Sequence, residues 1–507
     1  MPNAHPSPNP PRLTTGSALG LLVAVLVVLT AYRLTVLLTT DLGLYGDEAY
    51  YFTWSLHPDW GYYSKPPMVA WLIAASTSLL GATPLGVKAP SLVLYPATAL
   101  VLFAIARRLY GPGTGLIAGV TFATLPGVFF GSMVINTDVP LLLFWALALW
   151  AFLWALERDR PVAWAAAGAA TGLGLLSKYT MAVFPLTVVL YLLADPRLRR
   201  HLARPGPWLA AAVALALFMP NLIWNARHGF ITVAHTASIS HLDEAGAHSG
   251  GLAAFLAAQF GMFGPVFMGV LTFLAAGWGG GYRREPERIL LAFAAPLLVL
   301  ISLQSWLGQA HANWAAPAYL AGTVLVAGWL LRRSPRLLAT GLAVNVALGL
   351  FLYHYQGIAH TAGIQQVPSP LDPRARVRGW DRLAAAVERV RATFPGTPLL
   401  ADDRFVVAEL QFYLHPRPAD IGYWNPGGKV RNQYALSADI GDRQGQDFLL
   451  VARGAEAGAS AAPYFREWAG VGSVTIRRGA GKSEVYRFWI MRGFRGYGAV
   501  AEGSADQ

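Results

Sequence analysis

The chain contains repeated apolar runs, each close to the length that an α-helix needs to cross a lipid bilayer. Examples lie at positions 19–32, 141–156 and 209–224. With their flanking residues they approach the roughly 20 residues that span about 30 Å of hydrocarbon. Hydrophobic residues make up 55% of the 507 positions and charged residues only 13%, which is too little polar surface for a soluble protein. The sequence therefore predicts a polytopic α-helical membrane protein.

The net charge of +12 comes mainly from short arginine clusters between the apolar runs. Short loops rich in arginine mark the cytoplasmic side of a membrane protein, so this charge does not indicate nucleic-acid binding. The chain has no cysteine, which excludes disulfides, thiolate catalysis and cysteine-ligated metals. We predict no metal site, because the histidines lack a ligand spacing, and the sequence does not decide whether the reaction needs a divalent metal.

The arginine clusters also predict the topology. If residues 16–38 cross the membrane outward and the short apolar segment 68–80 does not cross, every later cluster lies in the cytoplasm. If that segment crossed, every cluster would lie outside, against the rule for positive residues. We therefore expect about eleven spans, in a range of up to about thirteen. The clusters are Arg107–Arg108, Arg158–Arg160, Arg197–Arg204, Arg283–Arg288 and Arg332–Arg336.

This topology divides the chain into three parts. Residues 1–15 are rich in proline and predicted to be a disordered cytoplasmic N-terminus. Residues 16–360 form the membrane domain, whose first apolar segment is interpreted as a retained anchor because it lacks a convincing signal-peptide cleavage site. Residues 361–507 are expected on the outer side as a small α/β domain. Its predicted helices are 379–391 and 404–414, and its predicted strands are 398–401, 448–452, 473–477 and 485–490.

The first outer loop concentrates charge in an otherwise apolar chain. Asp47 and Glu48 are adjacent in it, and Lys65 follows among aromatic residues. Ionisable groups at a membrane surface are costly, so they indicate a functional site. Two simpler interpretations stand beside this one: one carboxylate caps the following helix, and Lys65 extends its ammonium to the membrane interface. The aromatic residues expected to bind substrate here are Tyr45, Tyr62 and Tyr63.

Further polar residues are expected on the same outer face. Asp138 is either a second acid or the cap of the helix that follows it. Lys88 is a second candidate for binding phosphate, because a cation on this face can hold a negative group. The remaining candidates for substrate binding are Lys178, Asn225, His311 and Asn313. The last three stand beside tryptophans, so their motifs could instead belong to an interfacial belt.

Several absences narrow the chemistry. The chain has no nucleotide-binding Walker loop, no His-Glu-x-x-His motif and no Gly-x-Ser-x-Gly motif. Nucleotides are scarce outside the cytoplasm, so an activated donor must reach an outer site through the membrane. A sugar on a polyprenyl phosphate meets this requirement. A carboxylate can deprotonate the acceptor hydroxyl, and a cation can stabilise the charge that develops on the leaving phosphate.

The motifs around these residues resemble those of the GT-C membrane glycosyltransferases. That superfamily includes protein O-mannosyltransferases, lipid A aminoarabinose transferases and galacturonosyltransferases. The resemblance implies a GT-C fold, a lipid-linked donor and a single inverting displacement. It assigns the catalytic acid to Asp47 with Glu48 beside it, the second acid to Asp138 and the phosphate-binding cation to Lys65. The matching segments are Gly46–Tyr50, Tyr63–Pro67, Lys88–Ser91, Asn136–Asp138, Gly172–Lys178, Pro220–Asn225 and His311–Trp314.

The sequence thus predicts a glycosyltransferase of the bacterial inner membrane that uses a polyprenyl-phosphate sugar. The acceptor is a lipid, a polysaccharide or a protein, and neither it nor the sugar is decided. A transporter or flippase of a lipid-linked sugar is the main alternative. Transporters carry charged or broken helices near the bilayer midplane, whereas this chain concentrates its polar groups at one face. A non-catalytic scaffold is a third interpretation, in which the acidic loop has no chemical role.

Overall fold

The computed structural model describes residues 13–40, 42–240, 249–280, 282–364, 367–368, 372–418 and 420–498. The prediction of disorder at the N-terminus falls almost entirely on residues outside this set. The helices of the membrane domain are α1 (Thr15–Thr39), α2 (Gly46–Ser55), α3 (Met68–Leu80), α4 (Pro84–Tyr110), α5 (Pro112–Ala123), α6 (Pro126–Gly131), α7 (Asp138–Arg158), α8 (Pro161–Ser177), α9 (Val183–Ala194), α10 (Pro205–Arg227), α11 (Ile231–Ser240), α12 (Ser249–Phe263), α13 (Pro265–Ala275), α14 (Glu285–Leu307), α15 (Ala318–Arg333) and α16 (Pro335–Thr361).

Among the described residues, six helices are long and apolar enough to cross a membrane individually: α1, α4, α7, α10, α14 and α16. Helices α12 and α13 pass the same test together, but they meet at a bend of 115° and form a broken span or a re-entrant loop. Shorter apolar helices include α3, α5 and α8. The multi-span helical architecture is confirmed, while the expected total of eleven to thirteen crossings stays a prediction.

Local sequence explains where many of these helices begin and end. Proline occupies the start of α4, α5, α8 and α10. The first helical position suits proline because its N–H would have no partner within the helix and its φ is already helical. Gly111 separates α4 from α5 with a φ of 96°, a left-handed value that costs glycine little.

The predicted third span, 113–131, is interrupted between α5 and α6. Pro126 cannot donate a backbone hydrogen bond to the preceding turn, and the carbonyl groups at the end of α5 lose helical partners. Arg33 of α1, which is 1% exposed, donates from Nη2 to the carbonyl oxygen of Ala123 at 2.6 Å. This buried guanidinium stabilises the break, after which the chain leads to the start of α7.

The C-terminal domain is built on a five-stranded sheet of order β2-β1-β3-β5-β4. Strand β1 pairs in parallel with β2 and β3, and β5 pairs antiparallel with β3 and β4. The predicted helices and strands are all present, but the sequence missed β2, the first half of β4 and the short helices α19 and α20. The elements are α17 (Trp380–Arg391), β1 (Leu399–Ala401), α18 (Arg404–Tyr413), β2 (Ile421–Tyr423), α19 (Tyr434–Ser437), β3 (Phe448–Arg453), α20 (Glu456–Ala461), β4 (Phe465–Gly479) and β5 (Lys482–Phe494).

Each face of this sheet has its own core, because successive side chains of a strand point to opposite faces. Leu399 packs in the cluster that includes Leu383 of α17 and Val406 of α18. Leu400 packs in a second cluster with Trp489 of β5. The first of these clusters is continuous with the core of the membrane domain, so the two domains share one packed interior.

Helix α18 fixes the C-terminal domain on α2 of the first outer loop. Gly46 has no side chain, and a Cβ there would lie 2.4 Å from the ring of Phe405, so the two helices approach closely only because of this glycine. The Tyr413 hydroxyl accepts the backbone N–H of Leu44 at 3.1 Å. The Gln433 side chain accepts the backbone N–H of Tyr63 at 2.7 Å. The C-terminal domain therefore covers the loop that carries the acidic pair.

Candidate active site

The two adjacent acids of the first outer loop have different environments. Glu48 is fully buried, and its carboxylate accepts the backbone N–H groups of Tyr45 at 3.0 Å and Ile135 at 2.9 Å. It also forms a buried ion pair with the ammonium of Lys88. The contact with Tyr45 is the capping interaction that the simpler interpretation expected. Glu48 thus connects the start of α2 to α4 and to the segment before α7.

Lys88 was predicted to bind phosphate, but its ammonium is fully buried and paired with Glu48. It also lies 5.8 Å from the centre of the Tyr45 ring and is absent from the lining of the cavity described below. This geometry gives Lys88 a positioning role, because a paired ammonium without access to the cavity cannot contact a ligand there.

Replacing Lys88 by Met is therefore expected to destabilise the fold. The substitution keeps the volume but leaves the Glu48 carboxylate buried without its cation, which typically costs about 3–5 kcal/mol. Thermal unfolding in detergent should show a clearly lower midpoint for Lys88→Met, with much of the loss recovered in the double variant Lys88→Met/Glu48→Gln. An unchanged midpoint for the single variant would contradict the positioning role.

Asp47 is the free carboxylate of the pair. It lies in the first turn of α2, is exposed to the cavity, and forms no side-chain hydrogen bond or ion pair with another described residue. It stands at the N-terminus of α2, where a helix favours a nearby negative charge. A carboxylate that is ionised and unpartnered can accept a proton from a bound molecule.

Asp138, the first residue of α7, is held by two partners. Lys178 donates to Oδ1 at 2.6 Å and Asn313 donates to Oδ2 at 2.5 Å. The Asn136 side chain accepts the backbone N–H of Asp138 at 2.9 Å. The motifs at 136–138, 172–178 and 311–314 therefore meet around one carboxylate, although they lie on separate helices.

These groups surround a cavity of about 610 Å³ between the membrane domain and the C-terminal domain. Its polar wall combines acids, cations and amides with aromatic rings. Of the predicted site residues, the structure brings to the cavity wall Tyr45, Asp47, Glu48, Lys65, Asp138, Lys178, His311 and Asn313. The predicted residues that are not part of this wall are Tyr62, Tyr63, Lys88 and Asn225.

Lys65 is a cation of the cavity wall without an anionic partner in the described part of the chain. Its ammonium forms no hydrogen bond or ion pair with the described residues, although it lies near the acids. The pKa of Lys65 is lowered to about 8, first by burial and then by the positive charge of Lys178, while Asp138 and Asp47 act in the opposite direction. An unpaired ammonium that has lost water gains most from an anionic ligand.

The predicted substrate-binding residues outside the wall support its shape. The Tyr62 ring stacks on Trp54 at 4.6 Å, and its hydroxyl donates to backbone carbonyls of the loop. The Tyr63 ring packs 4.8 Å from His235, which lines the cavity. Asn225 is buried and donates to the Tyr179 hydroxyl at 3.1 Å. These contacts fix the loop and the end of α10 behind the cavity.

Two arginines of the C-terminal domain, Arg376 and Arg404, also line the cavity, and sequence reasoning missed both. One signal was available for Arg404. It is the first residue of α18, where a cation is unfavourable because the helix dipole is positive there. Among the described residues, no group of three or more histidines, cysteines or carboxylates is arranged to hold a metal ion.

Comparison with known proteins identifies a matching family and several relatives. Residues 64–224 match the model of the dolichyl-phosphate-mannose-protein mannosyltransferase family. The lipid A galacturonosyltransferase RgtD of Rhizobium johnstonii is 34% identical, over 82% of this chain and 88% of its own length. The lipopolysaccharide core galacturonosyltransferase RgtA of the same organism is 27% identical, over 88% of this chain and 94% of its own length. The crystal structure of ArnT from Cupriavidus metallidurans bound to undecaprenyl phosphate superposes with a TM-score of 0.64 at 17% identity. The superposition covers 92% of this chain and 97% of the ArnT chain.

The fold and the site therefore define a membrane glycosyltransferase of the GT-C class. Within that class, the chain belongs to the family of membrane glycosyltransferases that contains RgtD and RgtA.

Proposed function

We propose that this enzyme transfers an acidic sugar, a uronate, from a polyprenyl phosphate to a hydroxyl group of lipid A or of the lipopolysaccharide core. The names of RgtD and RgtA supply the sugar class and the acceptor, and the ligand of ArnT supplies the lipid carrier. The observation that carries the proposal is the placement of a free carboxylate, Asp47, and a free ammonium, Lys65, in one cavity beside the first outer loop.

The two groups have complementary roles in the proposed reaction. Asp47 accepts the proton of the acceptor hydroxyl as its oxygen attacks the anomeric carbon. The bond from that carbon to the phosphate oxygen breaks, and the polyprenyl phosphate leaves with the electron pair. Lys65 stabilises the charge on the phosphate, an effect that is strong in a site with little water. Asp138 is proposed to act with its partners Lys178 and Asn313 as a fixed group that orients the bound sugar.

We also propose that the cavity lies at the outer face of the inner membrane, with the N-terminus in the cytoplasm and the C-terminal domain in the periplasm. Helix α4 has 27 residues and is therefore about 40 Å long. Its first turns reach the cavity region through Lys88. Its last turn contributes Arg107 and Arg108 to a distant cavity that Arg158 and Arg160 also line. Two of the five arginine clusters thus lie together at one end of α4, the end that the positive-inside rule assigns to the cytoplasm.

The proposal is tested with purified enzyme in detergent, with lipid A and the lipopolysaccharide core as separate acceptors and a series of polyprenyl-phosphate sugars as donors. We expect a uronate to appear on one of these two acceptors, and no transfer from the free sugar or from a nucleotide sugar. Transfer only to a protein acceptor would contradict the proposed acceptor. Absence of transfer from every donor would contradict the proposed function itself.

The pKa of Lys65 predicts a pH dependence. The ammonium is charged below a pKa of about 8 and loses its charge as the pH rises through that value. The kcat/KM for the donor reports on the free enzyme, so it should fall above about pH 8. The variant Lys65→Arg keeps its charge at every accessible pH and should lack this alkaline decline, even where its overall rate is lower. The same decline in wild type and Lys65→Arg would contradict the assignment.

A further inference from the structure

We propose that Arg404 binds the carboxylate of the transferred sugar and sets the preference of the enzyme for an acidic donor. This inference rests on the proposed function and adds to it a residue that recognises the sugar. Arg404 belongs to the C-terminal domain, so the proposal also gives that domain a direct part in donor binding.

The packing of α18 on α2 fixes the position of Arg404. Gly46 and Phe405 are in contact at the starts of the two helices, since a Cβ at Gly46 would lie 2.4 Å from the Phe405 ring. Asp47 follows Gly46, and Arg404 precedes Phe405. Both charged side chains line the same cavity. The close contact of the two helix ends therefore places the guanidinium on the same wall as the proposed base.

The guanidinium of Arg404 is oriented but has no anionic partner. It lies 4.6 Å from the centre of the Phe405 ring and 5.7 Å from that of Tyr50. Its side chain forms no hydrogen bond or ion pair with another residue that the structure describes. The neighbouring Asp403 instead caps α18 through the backbone N–H groups of Phe405 and Val406. Aromatic rings orient a guanidinium without using its N–H groups, so these donors remain available to a planar carboxylate.

The net charge of the cavity favours a ligand with two anionic groups. Glu48 and Lys88 neutralise each other in their buried pair. Apart from the histidines, the remaining charges give an excess of two positive charges, whereas the phosphodiester of a polyprenyl-phosphate sugar carries only one negative charge. The carboxylate of a uronate supplies the second negative charge. The charges in question are the cations Lys65, Lys178, Arg376 and Arg404 and the anions Asp47 and Asp138.

Among these cations, Arg404 is the one best placed for the sugar. Lys178 is already paired with Asp138, and Lys65 is proposed to hold the phosphate. Arg376 is exposed and lies where this cavity meets an adjoining one of about 810 Å³. Arg404 is half-buried and close enough to the interior to lower the pKa of both Lys65 and His235.

The test compares two donors that share one prenyl chain and differ only in the sugar, a uronate and the neutral hexose of the same configuration. For Arg404→Gln, the ratio of kcat/KM for uronate to that for hexose should fall about 10- to 100-fold, as expected for a lost hydrogen-bonded charge. Arg404→Lys should give an intermediate ratio, because it keeps the charge without the two-pronged geometry. Arg382→Gln, which removes an exposed arginine of α17 outside the cavity, is the matched control and should leave the ratio unchanged.

Several outcomes would overturn the inference. An unchanged ratio in a folded Arg404→Gln variant would exclude contact with the sugar carboxylate, and so would an equal loss on both donors. If Arg404→Gln does not fold, the Arg404→Lys variant is measured instead. A uronate-to-hexose ratio equal to that of wild type would then exclude the contact. Wild-type enzyme that transfers the hexose as well as the uronate would overturn this inference alone. Wild-type enzyme that transfers neither sugar would overturn the proposed function instead.

Discussion

Replacing Asp47 by Asn is expected to lower sugar transfer about 10²- to 10⁴-fold, the range that a positioned general base contributes. The substitution keeps the shape of the side chain and removes its capacity to accept a proton. Because Asp47 forms no hydrogen bond or ion pair within the described part of the chain, the melting temperature should stay close to that of wild type. The measurement is the initial rate at which the uronate is transferred from its polyprenyl phosphate to lipid A at a saturating concentration of donor.

The matched control for this variant is Asp442→Asn, which changes an exposed acid of the C-terminal domain outside the cavity. It should retain the wild-type rate. Full transfer by a folded Asp47→Asn enzyme would contradict the catalytic role of Asp47. Asp138, the acid of the cavity wall that is not paired with Lys88, would then be the next candidate.

Replacing Lys65 by Gln is expected to lower transfer about 10²- to 10³-fold, the loss seen when a group that stabilises developing charge is removed. The ammonium is half-buried and without an ion-pair partner among the described residues, so its charge acts on the leaving phosphate with less screening than at an exposed site. Binding of free polyprenyl phosphate, measured by competition with the donor, should weaken in the same variant.

Lys429→Gln removes an exposed lysine of the C-terminal domain that does not line the cavity, and it should leave both rate and binding unchanged. If Lys65→Gln binds polyprenyl phosphate as tightly as wild type and transfers at the same rate, Lys65 does not contact the phosphate. The interpretation that Lys65 extends its ammonium to the membrane interface would then be the better one.

Much of the fold could be predicted from local patterns. Apolar runs are local signals, and they indicated the long helices of the membrane domain. Alternating strands and an amphipathic helix did the same for the C-terminal domain. The three-residue strand β2 (Ile421–Tyr423) was missed because so short a segment has no measurable periodicity. The bend between α12 and α13 was also missed, although a local signal was present: Gly264, with a φ of 89°, and Pro265 stand at the bend, and a Gly-Pro pair marks a break.

The candidate site was predicted where charge stood out against an apolar background. Asp47, Lys65 and Asp138 were found in this way, since a charge in a hydrocarbon-rich chain needs a reason. The distinction between Asp47 and Glu48 was not available from sequence, because it depends on the pairing of Glu48 with Lys88, 40 residues away. Arg404 was missed for the opposite reason: the C-terminal domain is rich in charge, so one more arginine there is not conspicuous.

The central claim is that the cavity breaks the bond between the sugar and its polyprenyl phosphate. It is tested most directly with wild-type enzyme in liposomes and a donor labelled on both the sugar and the prenyl phosphate, with lipid A as acceptor. We predict that each sugar found on lipid A is matched by one released polyprenyl phosphate, and that the donor stays intact without acceptor. Passage of an intact donor from one leaflet to the other, without any release of polyprenyl phosphate, would contradict the claim and identify a transporter.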